Sequence, residues 1–198
     1  QRPEHHDLSI KHKDWLTNKY QNAYGVEIDL TGTYLSFENS MTDKKFTESL
    51  GFANSKARLR MMTLYQISAS TSGIVVGTGN KIEDFGVGFY TKYGDGGVDI
   101  SPIADCTKTQ VWAMGKELGI LEEIQMAEPT DGLWSDGRTD TDQLGMSYKE
   151  IEHLMSRPDE PMYDKYLAIR KKNLHKMKPI PVCKFDGKDT LDTDQKKT

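Results

Sequence analysis

The segment Gly73-Ile74-Val75-Val76-Gly77 constrains the fold of this chain most. A short apolar run bounded by glycine reads as a strand buried on both faces of a sheet. Ahead of it lies the longest helical pattern, about residues 55–70, with Asn54 as its candidate N-cap. On that pattern Ala57, Met61, Leu64 and Ser68 form one stripe for burial. Arg58 sits one position off the stripe, in line with Met62 and Tyr65, at the rim of the expected core. Helix, strand and helix in alternation predict an α/β fold with a parallel sheet. In an open sheet of that kind, ligands bind outside the carboxyl ends of the strands. The residues after Gly77 are therefore the first place to look for chemistry.

A chain of 198 residues can bury one ordinary core. Its 36% hydrophobic and 28% charged residues are those of a globular protein and exclude a disordered one. A net charge of −4 gives no basic surface for nucleic acid or an anionic membrane. No apolar run approaches the ~18 residues that span a bilayer. Cys106 and Cys183 read as two free thiols, so a reducing, cytoplasmic setting is expected. His5 and His6 are adjacent and polar-flanked, which reads as a solvated pair and not as metal ligands.

Further elements follow from local signals. Residues 1–7 read as irregular, 8–20 as a helix, 24–30 as a short strand and 31–41 as a helix. Thr107 and Gln110 form a capping box for a helix over 108–118, with Gly119 at its stop. Residues 127–146 carry little periodicity, and a stretch that long without structure reads as a functional, mobile loop. Ser147 and Glu150 form a second capping box for a helix over 148–155, and a charged helix over 161–175 follows. The organisation expected is one domain over 1–185 and a polar tail over 186–198.

Four segments carry side chains suited to chemistry, and each has a plainer alternative. In Gly77-Thr78-Gly79-Asn80-Lys81-Ile82-Glu83, Thr78 offers a hydroxyl at the strand end, and Glu83 a carboxylate one turn into the next helix. Such a carboxylate suits Mg²⁺; the alternative is an ordinary strand-to-helix turn. The segment 91–99 holds Lys92, Asp95 and Asp99, with three glycines in four positions over 94–97. Glycine opens backbone conformations closed to other residues, and N–H groups in such a bend can converge on an anion. The alternative is a hairpin-like turn with solvated charges. Lys108 stands in a first helical turn, where a bound anion would explain a cation, although a solvated lysine explains it too. His175 and Lys176 near a helix end complement the helix dipole without any ligand.

Taken in order, these segments resemble one family. Lys56-Ala57-Arg58-Leu59-Arg60-Met61, Val75-Val76-Gly77-Thr78-Gly79-Asn80, Glu83 and Gly88-Phe89-Tyr90-Thr91-Lys92-Tyr93-Gly94-Asp95-Gly96-Gly97-Val98-Asp99 are similar to NAD synthetases. The similarity continues through Pro129-Thr130-Asp131-Gly132-Leu133-Trp134, Thr141-Asp142-Gln143-Leu144-Gly145-Met146 and Tyr148. It is close over about residues 50–155 and looser on the flanks. The run Phe89–Gly97 is its most specific part.

The resemblance implies a Rossmann-like fold of the adenine nucleotide alpha hydrolase kind. It implies that ATP adenylates the nicotinate carboxylate of deamido-NAD and that ammonia displaces AMP to give NAD. Carried over position by position, Thr78, Lys108 and Thr130 would touch ATP, and Glu83 would bind Mg²⁺. Arg58, Lys92, Asp99, His175 and Lys176 would hold deamido-NAD, and Asp95 would bind ammonium and assist its deprotonation. A homodimer is implied as well. The family's Ser-Gly-Gly-x-Asp-Ser loop, which binds the ATP pyrophosphate after the first strand, has no counterpart here, and Ser72-Gly73 does not qualify. The expectation is a chain lacking that strand and loop, about a third of a typical member. No glutaminase domain is present, so free ammonia is the expected donor. A relative that binds without catalysing, and a structural partner subunit, are the alternatives left open.

Overall fold

The computed structural model of the chain describes residues 3–183. The expected polar tail over 186–198 lies outside the described residues. The elements are α1 (Pro3–Lys19), α2 (Thr31–Asp43), α3 (Ser49–Thr71), a single π-helical turn (Ile82–Val87), α4 (Lys108–Glu117), α5 (Glu122–Met126), α6 (Asp140–Leu144), α7 (Tyr148–Leu154) and α8 (Tyr163–Met177). Among the described residues, strand pairing is confined to one parallel bridge, Val76 with Ile100.

The expected parallel sheet is thus reduced to that bridge. Its direction is parallel, but the Gly73–Gly77 run is not buried on both faces. Val75 is 6% exposed, whereas Ile74 and Val76 are 60% and 53% exposed. Side chains alternate along extended backbone, so only Val75 turns inward. The expected strand at 24–30 has no partner among the described residues; Tyr24, Val26 and Ile28 are 83%, 66% and 50% exposed. Extended backbone becomes a strand only when a neighbour pairs with it.

Three helix boundaries shift. α1 begins at Pro3, inside the stretch expected to be irregular, because proline at a helix start has no hydrogen bond to lose. α3 begins at Ser49 and not after Asn54, because Glu48 caps it by accepting from the Gly51 N–H. Within 127–146, Thr139 and Asp142 close a capping box that starts α6. The boxes at Thr107–Gln110 and Ser147–Glu150 cap α4 and α7 as expected.

The core sits beneath the π-helical turn. Ile82, Val87, Leu144, Met146, Tyr148, Ile151, Leu154 and Tyr166 form one buried cluster. The stripe on α3 contributes little to it: Ala57 is buried, together with Ala53 one turn earlier, but Leu64 is half exposed. α8 binds the turn through its polar face. Arg170 donates to the carbonyl oxygens of Phe85 and Gly86, and Asn173 Nδ2 donates to that of Val87 (3.0 Å). Lys176 Nζ donates to those of Gly88 (2.8 Å) and Tyr90 (2.7 Å). Three donors spaced one helical turn apart thus satisfy five consecutive or near-consecutive carbonyl groups that a wide turn leaves without ladder partners. No helix among the described residues is long and apolar enough to cross a membrane.

Candidate functional site

The strand end is built by its backbone. Asp99 N–H donates to Val75 O (2.9 Å) and Gly77 N–H to Ile100 O (2.7 Å), which brings Thr78 to the edge of a cleft of about 690 Å³. Asn80, 1% exposed, then starts the π-helical turn: its Oδ1 accepts from the N–H groups of Ile82 (3.0 Å) and Glu83 (3.2 Å). Gly79 lies directly under the Asp84 carboxylate. A Cβ there would fall 2.3 Å from Asp84 Oδ2, so no larger residue fits without moving that side chain. Isolated π-turns recur at functional sites.

Glu83 is the hub of a buried polar cluster. Its Oε1 accepts from Lys108 Nζ (2.8 Å) and from the Tyr148 hydroxyl (2.7 Å). The Lys108 and Glu83 side chains are each 17% exposed, so the pair is largely shielded from water. Lys108 also lies 4.6 Å from the centre of the Tyr148 ring. Behind the ring, Tyr148 Oη is 2.7 Å from Asp140 Oδ2. The solvated alternative for Lys108 and Glu83 is therefore overturned. Burial raises the pKa of Asp140, and burial followed by the charges of Glu83 and Asp140 raises that of Tyr148.

Asp95 and Lys176 line the main cleft with Thr78. Asp95 Oδ1 accepts from the Thr91 N–H (2.9 Å) while the carboxylate keeps one side open to the cleft. Surrounding protein, chiefly by desolvation, pushes the pKa of Asp95 up and that of Lys176 down. Asp84 rises from 3.8 to about 6, first through burial and then through Glu83 and Asp95. Three carboxylates, those of Glu83, Asp84 and Asp95, are thus electrostatically coupled across the turn.

A second, more exposed group lies beyond Asp95. Arg58 Nε donates to Lys92 O (3.3 Å), Lys92 Nζ donates to His175 O (3.2 Å), and the Tyr90 hydroxyl donates to Lys176 O (2.6 Å). Arg58 on α3, Lys92 in the bend, and His175 and Lys176 on α8 are thereby drawn together from three parts of the chain. Asp99 stands apart. Its Oδ2 accepts from Val75 N–H (2.7 Å) and its Oδ1 from the Tyr65 hydroxyl (3.1 Å), so its carboxylate braces the strand.

The glycine bend differs from the sequence expectation. Gly94, Gly96 and Gly97 do not adopt positive φ; Tyr93 does, at 62°. Their reason is close approach. A Cβ on Gly94 would lie 2.9 Å from Ala57 Cβ, and one on Gly96 would lie 2.4 Å from the Tyr90 ring. Nor do the N–H groups gather round an anion, because those of Gly94 and Gly96 bind Thr91 O and that of Gly97 binds Gly94 O.

A neighbouring cleft of about 580 Å³ is lined by Lys108 and Thr130, with Arg60 and Asp131 shared between the two clefts. Thr130 Oγ1 donates to Arg138 O (3.2 Å) and accepts from Gly132 N–H (3.2 Å). Asp131 accepts from Leu133 N–H and from Gln143, which also receives the Trp134 indole N–H (3.0 Å). The segment before α6 is thus tied by its own side chains. Arg60, Asp84 and Asp140 were not singled out by sequence, and Tyr148 carried no role there. Arg60 and Tyr148, inside the matched stretches, left a sequence signal; Asp84 and Asp140 left none. Among the described residues no three metal-ligating side chains converge. Glu83 fits Mg²⁺ nonetheless, since that ion is held by one or two carboxylates together with substrate phosphates.

The chain is similar to known proteins over most of its length. The family model described as NAD synthase matches residues 3–185. The chain is 43% identical over 136 residues to the NH(3)-dependent NAD(+) synthetase of Carboxydothermus hydrogenoformans, covering 68% of this chain and 55% of that protein. It spans about half the length of the curated relatives it matches. The structure of NMN synthetase from Francisella tularensis superposes with a TM-score of 0.82 at 29% identity, over 93% of this chain and 74% of that one. The NH3-dependent NAD synthetase of Campylobacter jejuni, in complex with the nitrate ion, gives 0.57 at 25% identity, over 79% and 64%. With a family match across nearly its whole length, the chain belongs to the NAD synthase family.

Proposed function

We propose that this chain acts in the ATP-dependent amidation of deamido-NAD by ammonia, yielding NAD, AMP and pyrophosphate. The observation that carries this reading is the Lys108–Glu83–Tyr148 cluster just past the bridged segment around Val76, beside a cleft lined by Thr78, Asp95 and Lys176. The single parallel bridge is taken as the remnant of the Rossmann-like, adenine nucleotide alpha hydrolase-like sheet that family membership implies.

The chemistry has two steps. A nicotinate carboxylate oxygen attacks the α-phosphorus of ATP, releasing pyrophosphate and leaving an acyl adenylate. Ammonia then attacks the acyl carbon, and the carbon–oxygen bond to AMP breaks. Lys108 and the Thr78 and Thr130 hydroxyls position and neutralise the phosphates, which is most of what phosphoryl transfer asks of a protein. Glu83 would hold Mg²⁺, which supplies charge neutralisation on the phosphate oxygens. Asp95 accepts a proton from ammonium, since the protonated form has no lone pair for attack. Its raised pKa makes it the better base for that transfer. Arg58, Lys92 and Lys176 present positive charge to the phosphates of the acid substrate, His175 offers its ring nitrogens beside them, and Asp99 braces the Val75 backbone behind them. The exposed apolar side chains Leu35, Phe37, Phe46 and Leu50 on and between α2 and α3 support a homodimer.

The test is direct. Chain, ATP, Mg²⁺, ammonium and deamido-NAD are incubated, and NAD and AMP are measured. Equal amounts of NAD and AMP are expected. AMP without NAD, or neither, contradicts the proposal. The higher TM-score to the Francisella NMN synthetase favours one variation, in which nicotinate mononucleotide is the acid. Both acids offered in the same assay decide between them by kcat/KM.

A further inference from the structure

Tyr148 Oη lies 2.7 Å from Glu83 Oε1 and 2.7 Å from Asp140 Oδ2. A phenol has one hydrogen to give. Two carboxylates at hydrogen-bond distance from one hydroxyl cannot both be acceptors, so one contact must be made by a carboxylic acid donating to the phenol oxygen. Two observations say which. Glu83 Oε1 already accepts from Lys108 Nζ (2.8 Å), so that oxygen serves the cluster as an acceptor. Asp140 is 5% exposed, and its second oxygen, Oδ1, is buried with no hydrogen-bond partner among the described residues. Burying an unpartnered oxygen costs far more when it belongs to an anion than when it is the carbonyl of a neutral acid.

We infer that Asp140 is a neutral carboxylic acid whose O–H donates to Tyr148, committing the single Tyr148 hydrogen to Glu83. The cluster then has one proton order: Asp140 to Tyr148, Tyr148 to Glu83, and Lys108 to Glu83. Burial of Asp140 and the nearby charges of Glu83 and Asp131 favour the neutral acid, while the hydrogen bond with Tyr148 and the charge of Lys108 oppose it. Asp140 N–H donates to Pro129 O (3.0 Å), and Pro129 precedes Thr130, so the same residue ties the 127–139 segment to the site. Tyr148 and Asp140 are positioning residues. They hold the Glu83 carboxylate in one rotamer and one hydrogen-bonding state, with its remaining lone pairs directed elsewhere. The part of this inference that concerns Mg²⁺ rests on the role proposed for Glu83; the proton order does not.

The experiment has two arms. Infrared spectra of the wild-type chain with ¹³C-labelled aspartate at neutral pH are expected to show a protonated-acid carbonyl band that shifts in D₂O and is lost in Asp140→Asn. No such band, or a band retained in Asp140→Asn, overturns the proton order without any variant needing to be active. The second arm measures Mn²⁺ affinity by electron paramagnetic resonance in the presence of ATP. Removing a partner that orients a metal ligand costs about 10–100-fold, and a loss of that size is expected for Tyr148→Phe and Asp140→Ala. Asp140→Asn, whose amide can donate as the acid does, is expected to recover most of it. Asparagine as damaging as alanine, in chains with matching circular dichroism, contradicts the positioning role. Unchanged Mn²⁺ affinity in Glu83→Gln, with the acid band intact, would instead sink the Mg²⁺ assignment of Glu83 and leave the proton order standing.

Discussion

The two ends of the site use charge in opposite ways. At Glu83, charge is shielded and paired: its carboxylate takes one ammonium and one phenol at 2.7–2.8 Å, beside the apolar cluster of Ile82, Ile151 and Leu154. Around Lys92, the cations of Arg58 and Lys92 stand nearer solvent and donate to carbonyl oxygens, while the half-buried Lys176 donates to those of Gly88 and Tyr90 and feels the Asp95 carboxylate. The first arrangement is preorganised. Its groups cannot relax toward water, so a small displacement is costly and geometry is enforced. The second is an attractor. Its charges are screened by salt and add affinity for an anion more than they fix an angle. A site with the proposed task, holding a dinucleotide loosely and a reacting phosphate tightly, needs both.

If the difference is real, variants should separate by kind as well as size. Lys108→Ala is expected to have the largest effect, lowering kcat/KM for AMP release about 10²–10³-fold with most of the loss in kcat. A loss confined to KM would place Lys108 with the attractor end. Lys92→Ala and Arg58→Ala are expected to weaken binding of the acid substrate about 10-fold each. Titration calorimetry at low and high salt checks this: the gap between wild type and variant should narrow as salt rises. A salt-independent gap would make these residues part of the rigid end.

The smallest effect falls on stability. The Asp84 carboxyl rises from 3.8 to about 6 in the folded chain, chiefly through burial. The folded state therefore binds this proton more tightly than the unfolded one. Its contribution is fully present below about pH 4 and is lost as pH rises through about 6. Asp84→Asn is expected to raise Tm at pH 7.5 by a few degrees and to leave it nearly unchanged at pH 4. Equal shifts at both values would contradict a burial-driven cause. Asp95 is likewise raised. The Asp84 substitution removes a nearby carboxylate, so Asp95 should titrate lower in that variant, and the acidic limb of the AMP-release profile should move to lower pH.

What could be read from sequence divides along physical lines. The capping boxes at Thr107–Gln110 and Ser147–Glu150 are complete within four residues, and both are formed as read. Asn54 looked like a cap by residue type. The chain instead uses Glu48, a type seldom chosen there, and turns Asn54 inward to accept from Thr91 Oγ1 (2.7 Å). The glycines of the bend were legible as necessary, but their cause was not. Close packing of Gly94 against Ala57 depends on a neighbour distant in sequence, and that of Gly96 against Tyr90 on how the bend folds back. Glu83 and Lys108, 25 residues apart, were assigned separate tasks on one ligand, and the structure joins them directly. Asp140 was invisible. An aspartate in a polar stretch becomes a buried acid only through α6, whose start the sequence reading treated as loop.

The central claim is that both ends serve one acyl transfer to ammonia through an adenylate. The measurement that tests it follows oxygen. Deamido-NAD carrying ¹⁸O in its nicotinate carboxylate is turned over with ATP, Mg²⁺ and ammonium, and the products are analysed by mass spectrometry. One ¹⁸O in AMP for each NAD formed is the predicted result. Label in pyrophosphate or phosphate, or NAD formed with unlabelled AMP, would contradict it.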